Sequence, residues 1–254
     1  MNERKQHIMK FLDSGMRFDS RKTDEYRSIV VDESPNKNAE GFARVKIGET
    51  DVMVGVKLAI DKPYPDKPNE GTMMVGAELS PLASPEFESG PPGNEAVELA
   101  RVVDRGIRES NSIDQKKLCI EEGEKCWLVF VDIAPLNDDG NLFDAAALAA
   151  AVALKNARFP KVEDGKVNYK ELTEKKLPLS KLPVSVTVHK LGNHLLVDPT
   201  PEEEEAADAR LTVAVIDGKL CAMQKGGEEA ITTEETEKMV DLAIRKSKEL
   251  LKYI

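Results

Sequence analysis

The chain has 254 residues, 41% of them hydrophobic and 32% charged, with 46 acidic against 36 basic side chains and a formal net charge of -10. That balance predicts a soluble globular protein of one large domain or two packed lobes, and excludes a spanning helix, since no apolar run is long enough to cross a bilayer. The acidic excess also excludes a surface that coats nucleic acid all over; RNA, if bound, needs a focused site.

The segment Met1 to Lys10 is polar and lacks the apolar core of a signal peptide, which predicts a cytoplasmic protein. From Glu3 to Ser14 the apolar residues Ile8, Met9, Phe11 and Leu12 recur at helical spacing and predict a short amphipathic helix. Strands follow over Ser28 to Asp32, Ala43 to Ile47 and Val52 to Ile60, the last two joined by the turn Gly48-Glu49-Thr50-Asp51 as an antiparallel hairpin. A proline-rich loop from Asp61 to Pro68 leads to a strand over Thr72 to Leu79. Gly90-Pro91-Pro92-Gly93 then breaks the chain before a helix that starts near Asn94, a favoured N-cap, with Glu95 and Glu98 at the positive end of its dipole. Leu118 to Glu121 and Cys126 to Ile133 read as strands, the second apolar enough to be covered on both faces. An alanine-rich helix over Gly140 to Ala157 is suited to close packing.

Arg158 to Pro183 is a polar connection, and the lobe boundary is placed there: an N-terminal lobe over 1–160, a linker over 161–183 and a C-terminal lobe over 184–254. In the second lobe, strands are expected at Val184 to Lys190, His194 to Asp198, Leu211 to Ile216 and Leu220 to Gln224. The acidic run Glu202 to Glu205 reads as a solvated edge, and a helix over Thr233 to Leu251 opens on a capping box, Thr232 to Glu235. Strands then a helix, twice, predict an α+β protein with two related lobes and a C-terminal helix.

The chemistry is sparse. Cys119, Cys126 and Cys221 form no Cys-x-x-Cys pair and read as buried reduced thiols; His7, His189 and His194 lack metal-site spacing, so no metal or other cofactor is expected. No Walker A loop, dinucleotide fingerprint or nucleophile elbow occurs, which leaves a small-molecule or kinase-like reading the weakest. Asp132, Asp138, Asp139, Asp144, Asp198 and Glu202 to Glu205 supply carboxylates for magnesium, but Asp138-Asp139-Gly140 is equally ordinary turn chemistry. Arg101, Arg105 and Arg108, at i, i+4 and i+7, share one side of the predicted helix, opposite Leu99, Val102, Val103 and Ile107. Guanidinium forks match phosphate oxygens, yet the helix alone is read more simply as a solvated face balanced by Asp104 and Glu109.

Several stretches, in order, resemble the RNase PH family: Arg17-Phe18-Asp19-Ser20-Arg21, the hairpin Gly41 to Asp51, Leu99 to Arg108, and Trp127 to Asp132 leading to Gly140. Ile60-Asp61-Lys62-Pro63-Tyr64, Phe87-Glu88-Ser89-Gly90-Pro91-Pro92 and Glu98 to Arg108 narrow the resemblance to the family's non-catalytic branch in the archaeal RNA exosome. The resemblance implies two β-α lobes with a core like ribosomal protein S5 domain 2. It also implies a heterohexameric ring, a trimer of heterodimers with a catalytic RNase PH-like subunit, capped by RNA-binding subunits with S1 or KH domains. Single-stranded RNA threads such a ring and is degraded from its 3′ end by phosphate.

Phosphorolytic members of the family carry Gly-Ser-Arg where this chain reads Gly140-Asn141-Leu142, so the helix end persists without the cation that helps hold phosphate. Of the two aspartates that catalytic members place in the second lobe, Asp198 matches the first and Glu204 stands at the second. Asn141, Leu142, Asp198 and Glu204 are therefore expected to be vestigial, with Asp138, Asp139 and Asp144 adding a field that repels phosphate. Two charges ~6 Å apart at an effective dielectric of about 20 repel by nearly 3 kcal/mol before screening. The resemblance also reverses the reading of the arginines: positions matching Arg101 and Arg105 contact the RNA backbone, and Arg108 shares their face. Arg17, Arg21 and Arg44 are left as interface or fold residues. The expected function is a catalytically silent ring subunit that positions RNA; the alternative is a chain that is itself a phosphate-dependent 3′-5′ exoribonuclease.

Overall fold

Alternation of inward and outward side chains builds the first sheet. In the computed structural model, which describes residues 3–163 and 166–254, β1 (Ile29–Asp32), β2 (Gly41–Ile47), β3 (Thr50–Asp61), β4 (Thr72–Ala77), β5 (Cys119–Glu121) and β6 (Lys125–Asn137) form it in the order β1-β2-β3-β6-β4, with β5 paired to the start of β6. All pairs are antiparallel except β4 with β6. Ala43, Val45, Ile47, Val52, Val54, Val56, Leu58, Val129, Val131 and Ile133 point to one buried side. The expectation that the strand from Cys126 is covered on both faces is corrected. Asp132 is exposed and Phe130 only half-buried, so much of the outward face of β6 meets solvent in this chain.

Two helices cover the inward face. α2 (Asn94–Glu109) lies over β4, and α3 (Leu142–Asn156) over β2 and β3. The cap of α2 is Gly93 without a side-chain bond, rather than Asn94. Buried Ala145, Ala146, Ala149, Ala150 and Ala153 let α3 sit close to the sheet. A Cβ at Gly41 would lie 2.3 Å from the Ala153 carbonyl oxygen and 2.7 Å from the Ala157 Cβ, so the contact requires glycine on the strand as well.

The segment Arg158 to Pro183 departs from the connection predicted for it. β7 (Arg158–Glu163) and β8 (Lys166–Lys176) pair as a hairpin, with Asp164 and Gly165 of the predicted linker outside the described residues, as are Met1 and Asn2 of the predicted N-terminal segment. Most of its side chains face water, so no hydropathy signal marks it; Phe159, packed 5.1 Å from Trp127, anchors its base.

The second sheet runs β10-β9-β11-β12, from β9 (Val184–Leu191), β10 (His194–Val197), β11 (Ala209–Ile216) and β12 (Lys219–Gly226). Here alternation serves two helix layers. Val184, Val186, Val188, Leu211, Val213 and Val215 pack with Met239, Leu242 and Ala243 of α5 (Thr233–Leu250), whose capping box of Thr232 and Glu235 is formed. The intervening Ser185, Thr187, Thr212 and Ala214 are small or polar and belong to the face that receives α2 and α3. At Gly106 of α2 a Cβ would stand 3.4 Å from the Ala214 Cβ and 3.5 Å from the Ser185 Oγ. The resulting order of layers is sheet, helix pair, sheet, helix.

The acidic run is a short helix rather than a solvated edge. α4 (Pro201–Ala206) starts on a capping box of Thr200 with Glu203, and Glu203 is buried. α1 (Glu3–Asp13) packs Ile8 and Leu12 on Leu191 and Leu196 beside it. Of the three cysteines, Cys126 is buried, whereas Cys119 and Cys221 are only half-buried, and all are free thiols.

Candidate functional site: an arginine helix and a closed helix entrance

Helical periodicity buries Leu99, Val102, Val103 and Ile107 and leaves Arg101, Arg105 and Arg108 on the outward side of α2. The three arginines have different surroundings. Arg101 is exposed and makes no hydrogen bond or ion pair among the described residues. Arg105 is half-buried, and its Nη1 donates to Gln224 Oε1 at 3.0 Å and to the Met223 carbonyl at 3.2 Å on β12. Arg108 is folded back: its Nε and Nη2 donate to the Asp104 carboxylate at 2.9 and 2.6 Å, and Nη2 also reaches the Met73 carbonyl at 2.9 Å. The Asp104 hydrogen bond raises the pKa of Arg108 and offsets its charge. A stripe of three equal cations in the sequence is therefore one free guanidinium, one tethered and one neutralised.

The entrance to α3 gathers residues from both lobes. Asn141 precedes the helix in a left-handed conformation, φ 63°, one that Asn tolerates better than most residues. Its backbone N–H donates to Glu204 Oε2 at 3.0 Å, and its Nδ2 donates to Asp198 Oδ1 at 2.9 Å. Leu142 packs against the first core and presents no polar group. Asp198 is fully buried and receives Arg27 Nη2 on Oδ1 at 2.7 Å, and Arg27 Nε and Arg21 Nη1 on Oδ2 at 2.9 and 2.8 Å. Burial alone would raise its pKa, but the bonds and charge of Arg27, with the Asn141 amide, hold it below the usual carboxylate range. Arg27 continues to Asp139 Oδ2 at 2.8 Å and to the Gly140 carbonyl at 3.1 Å, clamping the loop before α3.

Burial pushes Asp138 up to about 6, with Glu204 and Asp139 adding to the rise while the Gly140 N–H resists it. Glu204 is also raised by burial, against the pull of the Asn141 N–H. Asp144, one turn into the helix, is fully buried and raised to about 7; its Oδ2 accepts from the Tyr26 hydroxyl at 2.6 Å and its Oδ1 from the Thr187 N–H at 2.7 Å. The loop before the helix is thus a network of internal pairs, not the bare acidic cluster expected, although the buried Asn141 Oδ1 has no hydrogen-bond partner among the described residues. Arg21 and Arg27 are spent there on Asp198 and its neighbours, Arg17 is held by Glu203 and the Asp198 carbonyl, and Arg210, 4.6 Å over the Phe143 ring, pairs with Glu98 at 2.7 Å.

The structure brings Asn141, Leu142, Asp198 and Glu204 together, with Asp138, Asp139 and Asp144. It separates Asp132, which lies on the outer face of the first sheet, and Glu205, which pairs with Arg4. Arg17, Arg21 and Arg44 are tied into the fold: Arg17 is buried against Glu203, Arg21 holds Asp19 and Asp198, and Arg44 grips Asp51 at 2.6 and 2.8 Å. Sequence reading missed Tyr26, Arg27 and Gln224, for which no local pattern exists. It also missed the burial of Glu203 and the half-buried place of Glu204, although Thr200-Pro201-Glu202-Glu203 is a legible helix start.

Comparison with known proteins matches residues 25–160 to domain 1, and residues 181–246 to domain 2, of the 3′ exoribonuclease family. The exosome complex component Rrp42 of Methanopyrus kandleri is 46% identical over 254 residues, spanning 99% of this chain and 95% of that protein. The component of that name from Pyrococcus furiosus is 46% identical over 253 residues, spanning 98% and 91%. Among solved structures, a chain of the Archaeoglobus fulgidus exosome with RNA bound to the active site superposes with a TM-score of 0.91 at 45% identity, covering 98% of this chain and 96% of that one. A chain of an archaeal exosome core gives 0.86 at 42%, with the same coverage.

Proposed function

The chain belongs to the 3′ exoribonuclease, or RNase PH, family, and from that premise we propose that it is a non-catalytic subunit of an archaeal RNA exosome ring. It alternates with a catalytic RNase PH-like partner in a trimer of heterodimers, beneath caps carrying S1 or KH domains. It contributes no bond-breaking group. It completes the surroundings of the partner's active site and holds single-stranded RNA through phosphate contacts, while the partner transfers the 3′ nucleotide to inorganic phosphate. Holding the strand in place is itself catalytic assistance, because orientation is supplied before the chemical step.

The observation that carries this reading is the Glu204 carboxylate on the Asn141 N–H, 3.0 Å away. A helix N-terminus with free amides attracts phosphate; here the chain's own carboxylate takes the amide before the helix, and Asn141-Leu142 adds no cation. Arg101, exposed and unpaired among the described residues, and Arg105, whose protein contacts fall on Nη1, are the members of the stripe left to meet a polyanion. Arg108 joins them only by exchanging Asp104 for phosphate.

The test compares the chain alone with the chain co-purified with its catalytic partner, each given single-stranded oligoadenylate, magnesium and inorganic phosphate. Nucleoside diphosphate is expected from the complex only, with native mass spectrometry reporting a hexamer. Its release by the isolated chain overturns the proposal in favour of a self-sufficient phosphorolytic enzyme.

A further inference from the structure

We propose that Gln224 is a positioning residue for Arg105: its side-chain amide fixes one end of the guanidinium so that the opposite edge is presented to an RNA phosphate. The inference rests on the reading of Arg105 as a phosphate contact and adds how that contact is prepared.

Gln224 stands on β12, opposite Thr212, on the sheet face turned toward α2. The close crossing at Gly106 brings α2 against Ala214 and Ser185, so the neighbouring Arg105 reaches β12 directly. Arg105, Gln224, Ala222 and Val102 line a narrow cleft between helix and strand. Gln224 Oε1 accepts from Arg105 Nη1 at 3.0 Å, while its Nε2 points to the Lys225 carbonyl at 3.5 Å. The amide has one workable orientation, since turning it over would set its NH2 against the guanidinium and its oxygen against a carbonyl. The Met223 carbonyl takes the same Nη1 at 3.2 Å.

Both protein contacts therefore fall on a single terminal nitrogen. The Nε and Nη2 donors make no hydrogen bond among the described residues, and together they form the side edge that matches two phosphate oxygens. A long side chain held in this way loses less rotamer freedom on binding than a free one. Arg101 has no comparable support, and Arg108 presents the equivalent edge to Asp104. Among the three arginines, Arg105 is the one whose binding geometry is prepared in advance, and Gln224 is the side chain that prepares it.

The test is a double-mutant cycle in the assembled complex, reading binding of fluorescein-labelled oligoadenylate by anisotropy at several salt concentrations, with native mass confirming assembly of each variant. Gln224→Ala should weaken binding roughly three- to tenfold, the range set by ordering one long side chain. The salt slope should not change, because no charge is lost. Arg105→Ala should weaken binding and lower the slope by about 0.7, one phosphate contact on a single strand. In the Arg105→Ala background, Gln224→Ala should have no further effect. An equal loss in both backgrounds, or full affinity for Gln224→Ala while Arg105→Ala is impaired, overturns the positioning role and leaves Arg105 as an RNA contact. Unchanged affinity and slope for Arg105→Ala overturns the underlying reading and this inference with it.

Discussion

Asp144→Asn should make the protein progressively more stable than the parent as pH rises, because the carboxyl it removes is held unfavourably inside the fold. Asp144 is fully buried between α3, Tyr26 and β9, and burial raises its pKa to about 7 despite the hydrogen bonds from Tyr26 and Thr187. In the unfolded chain the same group titrates near 3.8. Between those values the folded protein binds more protons than the unfolded one, so this group's contribution to stability falls as pH rises from about 4 to about 7 and is level above that. One pKa unit corresponds to about 1.4 kcal/mol, so the interval is worth on the order of 4 kcal/mol, of which roughly 3 lies between pH 5 and pH 8. Asn keeps an acceptor for the Thr187 N–H and offers a donor to the Tyr26 hydroxyl, which can accept it. Urea unfolding of parent and variant at pH 5, 6, 7 and 8 measures the difference, which removes the titration of groups that do not interact with Asp144. It should shift by roughly 3 kcal/mol in favour of the variant across the series and flatten above pH 7. A pH-independent difference would show that Asp144 ionises like an exposed carboxyl and would refute the argument.

The remaining predictions concern charge and packing. Arg105→Glu is expected to weaken RNA capture and turnover by the proposed complex with the catalytic partner without dispersing it; intact mass with unchanged affinity at matched salt counts against the proposed RNA role. Arg108→Ala should cost less affinity than Arg101→Ala, because Asp104 already holds the Arg108 fork; anisotropy at one salt concentration ranks them. Glu203→Gln, which leaves the buried Arg17 without its counter-charge, should destabilise the protein by about 3–5 kcal/mol in chemical denaturation; a loss below about 1 kcal/mol would mean that the carbonyls of Val197 and Asp198 suffice. Gly106→Leu should force α2 from the second sheet at a cost of about 1–3 kcal/mol, measured by the same unfolding assay, whereas Gly106→Ala, at ordinary contact distance, should be near neutral.

Local periodicity made most elements legible. The hairpin of β2 and β3, the arginine helix, the alanine-rich helix and the capped C-terminal helix all follow from patterns within a dozen residues of each other. Elements without such a pattern were misread. The β7–β8 hairpin is polar on most of its surface, and α4 reads as solvated acid because Glu203, buried, and Glu204, half-buried, find their cationic and amide partners only in the fold. Strand β6 is the opposite error: an apolar run suggested two covered faces, while the layer order gives this chain a helix cover on one.

What the sequence determined alone is the face of α2 that carries arginine and the absence of any cation in Gly140-Asn141-Leu142 at the start of α3, since both are matters of residue type and short-range spacing. Only the tertiary structure decided how those residues are used. The Glu204 carboxylate meets the Asn141 amide across 63 positions, Arg27 meets Asp198 across 171, and Gln224 meets Arg105 across 119. Such pairings arise from the stacking of two sheets about one helix pair, and no periodicity along the chain encodes them. Three arginines alike in the sequence thereby differ: Arg101 makes no hydrogen bond or ion pair among the described residues, Arg105 is tethered to Gln224, and Arg108 is paired with Asp104.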